Sequence, residues 1–95
     1  MMFDDTRETN FELITEIGRR YKTYRKALKM SQKEVAEKTG ISLFTISAFE
    51  NGRGQGISLS HFAALLEALD LRGNLSETVP EIPSLDPERM WFKTK

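Results

Sequence analysis

The sequence predicts an all-α fold of about five helices, and three observations lead to this prediction. Apolar residues recur at three- and four-residue intervals, which is the spacing of one helix face. Helix-capping signals recur along the chain. The alternation of apolar and polar residues that is typical of strands is nearly absent. At 95 residues the chain has room for one domain with a core of three or four helices, and for a tail.

The first helix is predicted over residues 10–28 from its apolar spacing. Thr9 precedes this segment and Glu12 follows it by three positions. This is the pattern of a capping box, in which each side chain accepts the backbone N–H of the other residue. The apolar positions of the helix are Ile14, Ile17, Tyr21, Tyr24 and Leu28.

Four later capping signals share one pattern. An apolar residue precedes the N-cap, and a second apolar residue follows the first by five positions, so that the two can pack together as a hydrophobic staple. The cap oxygen meanwhile accepts a free backbone N–H. Ser31 and Glu34 add a full capping box. The four sets are Met30-Ser31…Val35, Ile41-Ser42…Ile46, Ile57-Ser58…Phe62 and Leu85-Asp86…Met90.

These signals predict further helices over residues 32–39, 43–51 and 59–69, and a short, weakly signalled fifth helix over residues 72–78. Gly40 follows the second helix, where a left-handed residue usually ends a helix. Residues 53–56 are predicted to form a loop. Pro80 and Pro83 predict an extended start to the tail. The chain is therefore divided into an N-terminal segment (1–9), a helical domain (10–78) and a proline-containing C-terminal tail (79–95).

Composition argues against several classes of site. The chain has no cysteine, so it can form neither disulfides nor thiolate zinc sites. His61 is the only histidine and has no carboxylate at obvious ligand spacing, so we expect a surface histidine and no metal. No nucleophile–base–acid set is visible, and we expect neither an enzyme nor a cofactor. The apolar runs are too short for a membrane span, and the acidic start argues against a secretory signal, so a cytoplasmic protein is expected.

Net charge is zero, but the charges are unevenly distributed. Residues 17–53 carry nine basic and three acidic side chains, a net charge of +6. The segments on either side are acidic, at −4 for residues 1–16 and −2 for residues 54–95. Solvated helix faces would explain scattered lysines, whereas a basic block of this size also suits a polyanionic partner.

The third predicted helix has a carboxylate on its apolar face and a phenylalanine on its polar face. One face holds Ile46, Phe49 and the carboxylate of Glu50. The other is small and polar except for Phe44. A half-buried carboxylate requires a cation, and the residues alone do not say which one.

The second and third helices, joined by a short turn at Gly40, have the helix-turn-helix arrangement. Residues 17–71 resemble the five-helix DNA-binding domain of the XRE family, the type of phage Cro and lambda repressor. The resemblance rests on Gln32, Ala36, Gly40, Ile46 and the Glu50-Asn51-Gly52 ending. It implies a lambda-repressor-like domain with the motif at about residues 32–51, and a third helix that reads DNA.

The resemblance also implies roles for individual residues. Arg25 stands where the family pairs an arginine with the acid of the third helix, so Arg25 and Glu50 would form a structural clasp. Apolar side chains on the DNA-reading helix would contact thymine methyl groups, which implies an operator containing A·T pairs. Phe44 could instead cover the core or pack in a dimer. The implied base-reading residues are Leu43, Phe44, Thr45 and Ser47, and the implied phosphate-binding residues are Gln32, Lys33, Ser42, Asn51 and Arg53.

Two function classes follow. The first is a transcriptional repressor that binds double-stranded DNA as a homodimer on a palindromic operator, associated with the bacterial nucleoid when bound. The alternative is a HipB-like antitoxin that autoregulates its operon and binds a kinase-type toxin partner, since the layout of residues 66–87 is similar to that family. A pure interaction module would leave the basic block unexplained. Dimer or partner contacts are expected at Leu71, Leu75, Val79, Ile82 and Trp91.

Overall fold

A computed structural model of the protein describes residues 9–79 and 81, and within them the chain is all-helical. The five helices are α1 (Asn10–Ala27), α2 (Gln32–Thr39), α3 (Leu43–Glu50), α4 (Leu59–Ala68) and α5 (Arg72–Ser76). The predicted all-α fold with five helices is therefore confirmed. All five helices begin at the predicted residue, and α2 also ends there. The other four end one or two residues earlier than predicted.

Four of the five helix starts coincide with the prediction because their capping bonds form, whereas α5 begins after Leu71 without a side-chain cap. Thr9 and Ser31 each complete a capping box with the glutamate three positions later. Ser42 and Ser58 accept the backbone N–H of the residue three positions on. Gly40 ends α2 with a φ of 77°, the left-handed conformation that glycine adopts without steric cost.

The core lies where α1 packs on α3, α2 packs on α3 and α4, and α5 packs on α4. Phe49 is at its centre, with its ring 5.4 Å from the ring of Tyr21 in an edge-on arrangement and 5.8 Å from that of Phe62. The Tyr21 hydroxyl donates to the Leu65 carbonyl at 2.6 Å. The buried apolar residues are Tyr21, Val35, Ile41, Ile46, Phe49, Leu65, Leu66 and Leu69.

The residues expected to contact a dimer partner differ in placement. Leu71 and Leu75 are half-buried and pack against the domain's own core, whereas Val79 is 83% exposed. Ile82, Trp91 and the capping signal at residues 85–90 lie outside the described residues. No helix among residues 9–79 is long and apolar enough to cross a membrane.

Candidate nucleic-acid interface

Helix α3 buries one apolar face and exposes another. Ile46 and Phe49 are almost completely buried. Phe44 is 79% exposed and Leu43 is 48% exposed, at the first turn of the helix. The core of the described domain is therefore complete without Phe44, and the alternative that Phe44 covers this core is not what the structure contains.

The first turn of α3 is held by Ser42. Its hydroxyl accepts the Thr45 backbone N–H at 3.1 Å and donates to the Thr45 hydroxyl oxygen at 2.9 Å. Thr45 receives this bond as an acceptor, so its own O–H can still donate to a base edge or a phosphate. One turn later, the Asn51 side-chain amide donates to the Ser47 hydroxyl at 3.4 Å, which is a long bond. Two of the predicted readers thus have defined positions before any ligand binds.

Arg25 and Glu50 form a buried, bidentate ion pair that joins α1 to the end of α3. Arg25 Nε lies 2.7 Å from Glu50 Oε2, and Arg25 Nη2 lies 2.9 Å from Oε1. The third guanidinium nitrogen donates to the Met30 carbonyl at 2.7 Å. Both side chains are more than nine-tenths buried. The bond to Glu50 raises the pKa of Arg25 above its usual value, although burial acts in the opposite direction.

Gln32 extends this pair to α2. Its side-chain amide donates to Glu50 Oε1 at 3.0 Å. The sequence predicts that Gln32 binds a phosphate at the helix N-terminus. In the structure one N–H of its amide is used by Glu50, and a second N–H remains for another acceptor. Glu50 therefore ties together α1, α2 and α3, which fixes the angle at which α3 is presented.

The structure brings two predicted base-reading residues and one predicted phosphate-binding residue into one cleft. Phe44, Thr45 and Arg53 line a surface cleft of about 190 Å³ between α3 and the loop that follows it. Arg53 is exposed, and its backbone N–H donates to the Ala48 carbonyl at 2.8 Å, which holds the loop against the helix. Lys33 is exposed on the first turn of α2 and does not line this cleft.

Sequence reasoning missed the packing role of three glycines, which let α1 and the loop approach α3 closely. A Cβ at Gly18 would lie 2.1 Å from the Phe49 carbonyl oxygen, and one at Gly54 would lie 2.6 Å from the Phe49 ring. Gly52 has a φ of 85°, and a Cβ there would lie 3.0 Å from a methyl group of Thr15. A glycine in the middle of a predicted helix, as at Gly18, was the available signal.

Part of the basic block is neutralised locally. The Glu16 carboxylate accepts hydrogen bonds from Arg19 and from Arg20. These bonds hold the pKa of Glu16 at about 2, well below its usual range. His61 is exposed on α4, and no group of side chains within residues 9–79 could hold a metal ion.

Comparison with known proteins agrees with this geometry. A family model described as helix-turn-helix matches residues 22–74, which is more than half of the chain. The match begins in α1 and ends in α5, so it includes the Arg25–Glu50 pair and the exposed turn of α3. No curated protein matches the chain significantly. The chain belongs to the XRE family of helix-turn-helix DNA-binding regulators.

Proposed function

We propose that this regulator binds a specific double-stranded DNA operator through α3 and represses transcription as a homodimer. The observation that carries the proposal is the exposed apolar turn at Leu43 and Phe44, on a helix whose opposite face is locked by Glu50. A rigid scaffold that presents a few side chains is what major-groove recognition requires.

The exposed turn favours direct reading of thymine. Leu43 and Phe44 cannot hydrogen-bond a base edge, but they can contact the thymine methyl group in the major groove. Thr45 has a free donor and Ser47 lies one turn along the helix, so both could bond base edges. We therefore expect an operator in which A·T pairs occupy the positions beneath Phe44.

The charges around α3 support phosphate contacts on either side. Lys33 lies at the N-terminus of α2 and Arg53 follows α3, and both are exposed. Ser42 and Asn51, at the two ends of α3, are exposed as well. Helix N-termini and basic side chains both favour an anion. Such contacts would position the protein on DNA without reading its sequence.

Dimerisation is proposed on geometric grounds. Helix-turn-helix domains commonly bind two half-sites about one DNA turn apart, and a two-fold dimer uses the same patch on both subunits. Val79, beyond α5, is the exposed candidate for this patch, since Leu71 and Leu75 already pack on their own core. A monomer in sedimentation at all concentrations would refute the dimer. If Trp91 emission were also fully red-shifted, the tail would be free to bind a toxin protein, and the antitoxin alternative would be favoured.

The test is a binding titration on an operator selected from random duplexes. Phe44→Ala should weaken operator binding by about 1–3 kcal/mol and leave binding to nonspecific duplex nearly unchanged. Leu59→Ala is the matched control, because Leu59 is also an exposed apolar residue, at 72%, but lies on α4. Phe44→Ala and Leu59→Ala giving the same affinity and base preference would refute the reading role of Phe44.

A salt titration separates reading from phosphate contact. Lys33→Ala and Arg53→Ala should each weaken specific and nonspecific binding together and reduce the salt slope by about one unit. An unchanged slope for both variants would refute the phosphate assignment.

A further inference from the structure

Helix α1 and its C-cap residue carry an apolar surface that is exposed except at Ile17, which is half-buried and also packs against the core. Four residues at helical spacing form it, and we call them the α1 stripe: Leu13, Ile17, Tyr24 and Leu28. Leu13, Tyr24 and Leu28 are 43%, 52% and 50% exposed, respectively. Neighbouring exposed apolar groups of this size usually mark a contact surface.

The stripe borders a cleft of about 160 Å³, the α1–α5 cleft. Helix α1 lines it with Ile17, Arg20, Tyr21 and Tyr24, α4 contributes Leu66, and Leu71 and Asn74 line it at the N-cap and within α5. No residue of α2 or α3 lines it. A ligand in this cleft would therefore leave the proposed DNA-reading surface free.

We propose that the C-terminal segment of the same chain, residues 82–95, packs along the α1 stripe and fills the α1–α5 cleft. The segment contains five large apolar residues, Ile82, Leu85, Met90, Trp91 and Phe92. An occupant of this surface must supply apolar side chains to match the stripe, and this segment does so.

The chain length allows this packing. The described chain ends at residue 81, shortly after α5, and α5 supplies one wall of the cleft. Fourteen residues remain, and an extended segment of that length spans up to about 46 Å. Helix α1 has 18 residues and is about 27 Å long. The segment can therefore cover the whole stripe without leaving its own subunit.

The charges of the segment and of α1 indicate the direction in which the segment runs along the helix. The segment is acidic first, at Asp86 and Glu88, and basic afterwards, at Arg89, Lys93 and Lys95. Helix α1 is acidic in its N-terminal half, at Glu12 and Glu16, and its C-terminal half has only basic charges. A segment that leaves α5 and runs back toward the start of α1 places opposite charges together. The Trp91 indole would then lie over the N-terminal part of the stripe, near Leu13.

Trp91 is the only tryptophan, so its fluorescence reports the packing. We expect blue-shifted emission in the full chain that does not depend on protein concentration. Tyr24→Asp should shift it to the red. Leu59→Asp is the control at an exposed apolar site outside the cleft, and should leave the emission unchanged. Circular dichroism would check that both variants keep their helices. Red-shifted Trp91 emission in the parent protein, or equal responses to the two variants, would overturn the proposal.

The absence of cysteine allows a second, independent test. Leu13→Cys paired with Lys93→Cys should form a disulfide within the monomer, because packing raises the local concentration of the two thiols. The control pair is Lys33→Cys with Lys93→Cys. The first pair should form its disulfide at least about tenfold faster than the control pair. Lys33 is exposed on α2, away from the cleft. Equal rates would overturn the proposal, and so would a covalent dimer as the main Leu13–Lys93 product, since the segment would then lie on a second copy. Neither test uses DNA, so the proposal can fail without affecting the assignment of the operator-binding surface.

Discussion

Replacing Glu50 with glutamine should destabilise the domain more than most single substitutions. The Glu50 carboxylate accepts two hydrogen bonds from Arg25 and one from Gln32, at 2.7–3.0 Å. Glutamine has nearly the same shape, but it leaves the buried guanidinium without a counter-charge and directs an amide N–H₂ at one of its donors. Removing one partner of a buried ion pair costs about 3–5 kcal/mol, because the other charge stays buried and unpaired. For a domain of this size that loss corresponds to a fall in Tm of about 12–40 °C.

The assay is thermal and urea unfolding followed by far-ultraviolet circular dichroism. Glu37→Gln is the matched control: Glu37 is an exposed acid on α2, and its removal should change stability by less than about 0.5 kcal/mol. Combining Glu50→Gln with Arg25→Met should cost less than the sum of the two single changes, by about 1–3 kcal/mol, because the pair acts as a unit. If Glu50→Gln costs less than about 1 kcal/mol, the pair behaves like a surface ion pair and the reasoning fails.

Three further predictions use the same unfolding measurements. Gly18→Ala should lower the free energy of unfolding by about 1–3 kcal/mol, because the added Cβ would lie 2.1 Å from the Phe49 carbonyl oxygen. Gly73→Ala is the control: nothing lies within 4 Å of its added Cβ, so the change should be neutral or stabilising. Gly40→Val should cost about 1–2 kcal/mol through its φ of 77° alone, since no atom lies within 4 Å of an added Cβ; unchanged melting would contradict the left-handed turn. Glu16 has its pKa lowered from 4.5 to about 2 by two arginines, so its contribution to stability is present above pH 4.5 and is lost toward pH 2. Glu16→Gln should therefore make the acid-induced loss of stability smaller over that window, and an identical acid profile would contradict the pairing.

The sequence alone determined the helix starts, because helix starts depend on contacts a few residues apart. A capping serine and its partner lie within three positions of each other, as Ser31 and Glu34 do, so their bonds can be inferred without knowing the fold. Gly40 is a similar case, because the left-handed conformation at a helix end is a local requirement. Helix ends were less accurate, because the last turn depends on what the chain packs against next. The buried face of α3 also followed from spacing, and from it the need for a cation beside Glu50.

The tertiary structure alone decided which groups meet across the fold. The sequence predicts a phosphate contact for Gln32 from its place at a helix start, and the fold adds a hydrogen bond from its amide to Glu50, 18 positions along the chain. Gly18 is a single glycine within a predicted helix, and only the fold places it against the Phe49 carbonyl. Leu71 and Leu75 are predicted to contact a partner, and only the fold shows that both are half-buried against their own core. In each case the deciding contact joins residues far apart in the sequence, and the chain makes such contacts only when all of its helices pack together.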